Sequence, residues 1–387
     1  MGLSEPAPEA TAMNPTVSDT IRLARILCIL LLVYAHAQPY VAVDPANPGS
    51  LLSPMGAIAY VRQLLGHTGV PLLSLISGYL LARTLSTRPW IAEFSNKFFS
   101  LIVPLVLWNL IYIAKEYAES SFITLPALQE WPDAVLAITT YPAMMPLYFL
   151  RDAFVCFLIS PALMYLARKS PGLTVAALLL NALLNIDDVM FINSAIPLFY
   201  FAGCVLMVRR VPIPTHPTHP MPRGPVWAAG LAMVVLSAAP FFRPQDWGIS
   251  DAESVPYAAV DIALRAAGCV VFWAVASKLL HSRAGDVLLR FEPMAFFIFC
   301  AHGMAAGLWW MALARLGYAD VTPVSLGYFA LSPLLALAVC VAAVWSIRRV
   351  APRVLSLLMG GRSPNHQQMN NMIHPLRRRD LELSHGT

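Results

Sequence analysis

The chain has 387 residues, of which 58% are hydrophobic and only 12% are charged. Soluble domains contain roughly 45–50% apolar and about 25% charged residues, so this composition excludes a large soluble globule, which needs more polar surface. The net charge of +5 is small for this length. It indicates no nucleic-acid partner.

The first predicted element is a polar leader, residues 1–18, which we expect to be a disordered cytoplasmic segment. Ser18 or Asp19 is the predicted N-cap of the helix that follows. The Ala-His-Ala sequence at residues 35–37 resembles a signal-peptide cleavage site. A signal peptide begins with a short basic stretch, however, and here the first basic residues follow the leader. We therefore predict that the first helix is retained.

Long apolar segments follow, and their lengths approach the roughly 20 residues with which a helix crosses a bilayer. They predict an all-α fold, a polytopic transmembrane helix bundle of about ten spans within residues 19–350. All six cysteines lie in these segments, which indicates small buried residues rather than disulfides. The segments are residues 19–37, 57–83, 96–114, 145–167, 172–186, 191–208, 226–242, 257–280, 294–313 and 324–347.

Two segments of the chain interrupt or follow this pattern. Residues 211–225 are rich in proline and predict a stiff linker. The linker contains His216 and His219, but two histidines without further ligands do not define a metal site, so we predict none. Residues 351–387 are basic and polar, and we predict a disordered cytoplasmic tail.

The distribution of charge between the segments predicts the orientation of the bundle. Basic residues concentrate in every second loop, after the second, fourth, sixth and eighth segments, and in the tail. The alternate loops carry acidic residues instead, among them Glu116, Asp187 and Asp251. By the positive-inside rule both termini are cytoplasmic, which requires an even number of spans.

Ionisable residues inside a membrane span are costly, and each is therefore a functional hypothesis. The first span contains Arg25 and His36, which are eleven residues apart. That is about three helical turns, so both side chains lie on one face, with a rise of roughly 16 Å between them. An arginine suits a phosphate and a histidine suits a general base near neutral pH. Alternatively, Arg25 extends to the cytoplasmic surface and His36 marks the opposite interface.

The same two residues form an R-x10-H pattern that resembles the first helix of the acyltransferase 3 family of integral membrane O-acyltransferases. Other segments resemble the later helices of that family in the order in which they occur. They are GVPLLSLISGYLLA from Gly69 to Ala82, Lys97 followed by Pro104 and Trp108, PLYFLRDAFVCFLISPAL from Pro146 to Leu163, and FFIFCAHGM, which contains His302.

The resemblance implies transfer of an acyl group, usually acetyl from acetyl-CoA, to a hydroxyl of a cell-envelope glycan, an exopolysaccharide precursor or a lipid-linked oligosaccharide. It places the protein in the bacterial inner membrane, in contact with lipid. It assigns the catalytic role to His36 and donor binding to Arg25 and Lys97. The resemblance implies acyl-CoA as a substrate, with no permanently bound cofactor.

Two features of the sequence depart from the family pattern. The family often has two basic residues three positions apart at the start of its third helix, but here Lys97 is followed by Ser100. This departure suggests that part of the donor-phosphate contact shifts to Arg83 or Arg88. Tyr148 stands where the family commonly has a tryptophan.

Five further residues are candidates for acceptor binding or for structural roles. Arg151 and Asp152 either line the acceptor cavity or pair with another helix, and because neighbouring positions point about 100° apart, we expect them to have separate partners. Tyr148 lies beside them. Ser77, next to a glycine, indicates close helix packing rather than catalysis. His302 either faces His36 or forms a hydrogen bond to a neighbour.

Two other charged sites have simpler interpretations. Asp261 and Arg265 are spaced i,i+4 and are predicted to pair with each other. Glu292 precedes Pro293 at a predicted helix start, where negative charge is favourable.

Two other classes of function remain open on the sequence. A transporter or flippase can also use buried arginine and histidine residues, here to bind an anionic or glycan substrate in transit. A non-catalytic membrane partner in polysaccharide assembly would tolerate changes at His36. The resemblance and the absence of an internal repeat favour the enzyme.

Overall fold

A computed structural model describes residues 14–40, 48–67, 69–119, 125–186, 190–215, 220–242 and 255–362. Within these ranges the chain forms helices and no β-strand. The helices are α1 (Pro15–His36), α2 (Pro54–Val61), α3 (Gly69–Leu85), α4 (Trp90–Lys97), α5 (Val103–Glu119), α6 (Trp131–Leu136), α7 (Tyr148–Leu158), α8 (Ser160–Lys169), α9 (Pro171–Leu184), α10 (Ala195–Val208), α11 (Arg223–Ser237), α12 (Val255–Leu279), α13 (Arg283–Phe291), α14 (Ala295–Arg315), α15 (Thr322–Val350) and α16 (Pro352–Leu358).

Several of these helices continue into one another. A π-helical turn, Arg62–Gly66, links α2 toward α3, and another, Phe98–Ile102, joins α4 to α5. A short 3₁₀ turn, Glu292–Met294, joins α13 to α14. Such π-helical turns often mark functional positions in a helix.

Within the described ranges, six helical stretches are long and apolar enough to cross a membrane, and α7 with α8 makes a seventh if this pair, bent by 63°, is one broken span. Helices α9 and α10 are apolar but shorter. These features confirm a polytopic helical bundle. Each of the ten predicted segments contains a helix or consecutive helices among its described residues, but the count of ten and the cytoplasmic termini stay predictions. The six stretches are Pro54–Leu85, Trp90–Glu119, Arg223–Phe241, Val255–Leu279, Arg283–Arg315 and Thr322–Val350.

Helix α1 lies in the interior of the bundle, where it packs against α3, α12, α14 and α15. Leu23, Ile26 and Val33 are completely buried. The helix begins at Pro15, with the Asn14 side chain accepting a hydrogen bond from the Thr16 amide. The predicted N-cap at Ser18 or Asp19 is therefore wrong. A proline at the first helical position lacks only an N–H that would have no helical partner, so the helix can start earlier.

The closest helix packing joins α3 and α10. A Cβ added at Gly78 would lie 1.9 Å from the carbonyl oxygen of Tyr200, and one added at Gly203 would lie 2.0 Å from that of Leu75. Neither position can therefore accept a side chain without moving a helix backbone. Small residues allow this approach, as they do in other membrane bundles.

We expect Gly78→Ala to lower the thermal unfolding midpoint of the purified protein, because overpacking of a tight interior costs about 1–3 kcal/mol. Gly307 is a matched control, since it is also helical but has nothing within 4 Å of an added Cβ. Gly307→Ala should leave the midpoint unchanged or raise it slightly, because alanine favours the helix. Equal midpoints for the two variants would contradict this packing.

The predicted disordered tail is wrong for its first part. Residues 352–358 form α16, and Leu355 and Met359 are completely buried against the bundle. The indole N–H of Trp108 in α5 donates to the carbonyl oxygen of Leu358, at 3.0 Å. Apolar residues at helical spacing, together with this hydrogen bond, thus dock this basic stretch against the bundle.

Other predicted segments are only partly described. The leader before residue 14, the linker histidines His216 and His219, and the tail after residue 362 lie outside the described residues. In the described part of the linker, Pro214 accepts a hydrogen bond from the indole of Trp273 in α12, at 2.7 Å. The six cysteines are free and buried, as predicted.

Candidate active site

Arg25 lies on α1 at the junction of α13 and α14. Its guanidinium is 3.2 Å from one carboxylate oxygen of Glu292, and the guanidinium of Arg22 is 3.2 Å from the other. Because the Glu292 side chain is only 13% exposed, its charge needs such partners. Glu292 therefore does more than favour a helix start, since it fixes two arginines of α1.

His36 is the last residue of α1 and faces His302 of α14, with 5.2 Å between the ring centroids. The His302 side chain is completely buried, and its Nδ1 lies 2.6 Å from the carbonyl oxygen of Phe299. A carbonyl only accepts, so Nδ1 carries the proton and Nε2 presents a lone pair. Nε2 is buried and has no hydrogen-bond partner among the described residues. His302 therefore both faces His36 and forms a hydrogen bond to a neighbour, the two arrangements that the sequence left open.

Arg62 was not identified in the sequence as a site residue, although it lies inside the second predicted span. It occupies the π-helical turn after α2. Its guanidinium donates to the carbonyl oxygens of Ala37 and Pro39, both at 2.8 Å, and lies 5.0 Å from the ring centroid of Tyr40. The last carbonyl oxygens of a helix lack helical partners. Arg62 provides a hydrogen-bond donor for that of Ala37, the residue directly after His36. It thereby positions the end of α1.

His67 was also not predicted to be a site residue. It follows the same π-helical turn and interacts electrostatically with His36 and Arg62. The turn approaches α1 closely here, since a Cβ at Gly66 would lie 2.6 Å from the backbone nitrogen of Ala35. His36, His67 and His302 are called the histidine cluster below.

A half-buried ion pair from α12 borders this cluster. Nε of Arg265 lies 2.6 Å from an oxygen of Asp261, which confirms the predicted i,i+4 pairing. The distance is that of an ion pair, although the N–H direction does not meet hydrogen-bond geometry. Arg265 also interacts electrostatically with His67 and with Tyr148. The region around His36 is therefore polar, although it lies among apolar helices.

Arg151 and Asp152 contact each other, with 3.0 Å between Nη1 and the carboxylate. The expectation of separate partners was wrong, because a long arginine side chain can fold back to its neighbour despite the different direction of its Cβ. The buried Asp152 also accepts from the amides of Ile192 and Asn193, at 3.2 and 3.0 Å, and Arg151 donates to the carbonyl of Met190. Together they hold the segment before α10.

Ser77 has a local structural role in the described contacts. Its hydroxyl donates to the carbonyl oxygen of Leu73, one turn earlier in α3, at 2.7 Å. It adjoins Gly78, which contacts α10. The geometry is that of helix packing, which agrees with the preferred interpretation of the sequence.

The basic residues around α4 fall into two groups. Lys97 ends α4 and interacts electrostatically with Arg362. Arg88 instead forms an ion pair with Glu93, at 3.1 Å, in an open cleft of about 1290 Å³. The cleft is not lined by the histidine cluster. Its other arginines are Arg83, Arg168 and Arg210.

The helices form a polytopic membrane bundle, and one buried helix, α1, carries both Arg25 and His36. This arrangement is that of a membrane protein with a candidate site for group transfer. A family model described as an acyltransferase domain matches residues 19–347, and the chain belongs to this acyltransferase 3 family. The predicted family is thus confirmed.

The chain is similar to the succinoglycan biosynthesis protein ExoH of Rhizobium meliloti (strain 1021). The two are 31% identical over 371 residues, which cover 91% of this chain and 94% of that protein. No solved structure matches this chain.

Proposed function

We propose that this protein is an inner-membrane O-acyltransferase that transfers an acyl group, most simply acetyl, from cytoplasmic acyl-CoA to a hydroxyl of an exopolysaccharide or its lipid-linked precursor. The observation that carries the proposal is the pairing of His36 with His302, whose buried Nε2 lacks a partner among the described residues. The family and the name of the similar protein, which refers to succinoglycan biosynthesis, support the substrate class.

In the proposed orientation, ten spans leave both termini in the cytoplasm, and α1 crosses outward. Arg25 then lies toward the cytoplasm and His36 toward the opposite face. Their separation is roughly 16 Å along the helix. An extended donor, with phosphates at one end and a thioester at the other, can contact both residues. Arg25 and Lys97 bind the phosphate end in this arrangement.

His36 acts as the general base in the proposed reaction. It accepts the proton of the acceptor hydroxyl while that oxygen bonds to the thioester carbon. The carbon–sulfur bond breaks, and the coenzyme A thiolate leaves and takes up the proton from His36. The Nε2 of His302, whose ring lies beside that of His36, can accept a hydrogen bond from a bound hydroxyl or from His36.

Positive charge near the histidine cluster can stabilise the negative charge that develops on the thioester oxygen. Arg62 supplies this charge, whereas the charge of Arg265 is paired with the carboxylate of Asp261. Arg62 is held by backbone carbonyls rather than by a carboxylate, so its positive charge is not neutralised by those contacts. Burial of Arg62 strengthens its electrostatic effect.

A transfer assay tests this proposal. The purified protein is supplied with acetyl-CoA labelled in the acetyl group and with an exopolysaccharide repeat unit, and the label on the glycan is measured. The proposal expects a labelled, alkali-sensitive ester on the glycan. Movement of the glycan across vesicle membranes without any acylated product would instead support a transporter.

A further inference from the structure

The segment after α15 folds back onto the bundle beside α5. The Leu358 carbonyl is held by Trp108, and the following residues turn sharply at Gly360 and Gly361, whose φ angles are +56° and +81°. A Cβ at Gly360 would lie 2.7 Å from the Ser100 backbone. Only glycine combines this φ with so close an approach. The turn directs Arg362 onto the π-helical turn that follows Lys97.

Arg362 is anchored by neutral groups. Its guanidinium donates to the carbonyl oxygen of Ser100, at 3.1 Å, and lies 4.4 Å from the ring centroid of Phe296. Neither contact neutralises its positive charge. These contacts fix the direction of the guanidinium, as a carbonyl and an aromatic face commonly do for arginine.

The ionic neighbours of Arg362 are positive. Arg25 and Lys97 both interact electrostatically with it. The nearby carboxylates are already engaged, since Glu292 pairs with two arginines of α1 and Glu93 pairs with Arg88. Arg362 contacts both the turn that follows Lys97 and the start of α14, where Glu292 holds Arg25. Three cations from separate parts of the chain therefore lie in one region that has fewer anions than cations.

We propose that Arg362 is a donor-binding residue and that, with Arg25 and Lys97, it binds a phosphate group of acyl-CoA. The inference rests on the proposed function and deepens it. A phosphate offers three acceptor oxygens, and a planar guanidinium donates to two of them at once. Arg362, from the C-terminal segment, would then place a positive charge beside Ser100, in a π-helical turn that has no charged side chain of its own.

The test is binding of coenzyme A to the full-length protein and its Arg362→Ala variant, in a non-ionic detergent. A charged hydrogen bond contributes about 1.5–3 kcal/mol, so we expect the Kd for coenzyme A and the KM for acetyl-CoA to rise about 10- to 100-fold. The kcat should change little. Arg353→Ala is the matched control, because Arg353 is an exposed arginine of the same segment, and it should bind as the wild type does.

A second variant separates lost charge from undocking of the segment. Adding Ser100→Arg to Arg362→Ala restores a cation next to the same backbone position, and we expect it to recover part of the affinity. Trp108→Phe weakens the docking but keeps Arg362. If Trp108→Phe reproduced the full loss and Ser100→Arg recovered nothing, Arg362 would be only a structural residue.

Two further outcomes would overturn the inference. Loss of affinity in Arg168→Ala but not in Arg362→Ala would place the phosphate in the open cleft. If neither the variant nor the wild type bound coenzyme A, but phosphatidylglycerol bound in an Arg362-dependent manner, these cations would form a site for a lipid headgroup. Coenzyme A binding does not require acyl transfer. Arg362-dependent binding without a transfer product would therefore contradict the proposed function and leave this inference standing.

Discussion

Replacing His36 by alanine is expected to lower kcat for acyl transfer by about 10²- to 10⁴-fold, the usual contribution of a general base. His36 faces His302 at 5.2 Å between ring centroids and ends a helix that Arg62 fixes through two carbonyls. No other group in the described histidine cluster has the same position at the end of α1. The initial rate of labelled glycan formation measures the effect.

His281→Ala is the control for this variant. His281 lies in the exposed connection between α12 and α13, outside the histidine cluster, and its replacement should leave the rate unchanged. Coenzyme A should bind to His36→Ala with the wild-type affinity, because the proposed phosphate contacts lie at the other end of α1. A His36→Ala variant that transfers the label at the wild-type rate would show that another group removes the proton.

Replacing Arg25 by alanine is expected to raise the KM for acyl-CoA about 10- to 100-fold, with a smaller change in kcat. The reason is the loss of a charge-assisted contact to a donor phosphate, which contributes about 1.5–3 kcal/mol. Arg25→Lys should recover only part of this loss, because lysine cannot form the two parallel hydrogen bonds of a guanidinium. Steady-state kinetics with acyl-CoA as the varied substrate measure both variants.

Arg22 provides a closely matched control for Arg25. It contacts the same carboxylate, that of Glu292, at the same distance of 3.2 Å, but it lies one turn earlier and also pairs with Asp19. If Arg25 serves only to neutralise the carboxylate of Glu292, Arg22→Ala and Arg25→Ala should have similar effects on the KM for acyl-CoA. A donor-binding role instead predicts that Arg22→Ala changes the KM little.

The membrane bundle, the family and the Arg25–His36 pair could be predicted because each depends on local sequence. Apolar length indicates a span, and a spacing of eleven residues places two side chains on one helix face. The Asp261–Arg265 pair was predictable for the same reason. These are relationships within one helix, which periodicity describes directly.

The partners of these residues could not be predicted, because they come from distant parts of the chain. Arg62 reaches the end of α1 only because a π-helical turn redirects α2 toward it. Arg362 was assigned to a disordered tail on the basis of its charge. The docking depends on Trp108 and on a glycine turn that fits against Ser100, and a single sequence shows neither contact.

The errors at helix starts and in side-chain pairing have a common origin. The N-cap was placed where the apolar pattern begins, although Asn14 and Pro15 together provide a good helix start one turn earlier. Arg151 and Asp152 were assigned separate partners from the directions of their Cβ atoms. A long side chain can bend away from the direction of its Cβ atom, so backbone periodicity does not determine the partner of an arginine.

Sealed proteoliposomes with the protein in one orientation test the central claim, which is that the bundle passes an acyl group from a cytoplasmic donor at Arg25 to an external acceptor at His36. Labelled acetyl-CoA is supplied on one side and the glycan acceptor on the other, and then the two sides are exchanged. The account predicts labelled glycan only when acetyl-CoA has access to the face that carries Arg25 and the acceptor has access to the opposite face. Equal labelling with both substrates confined to the Arg25 face would contradict it.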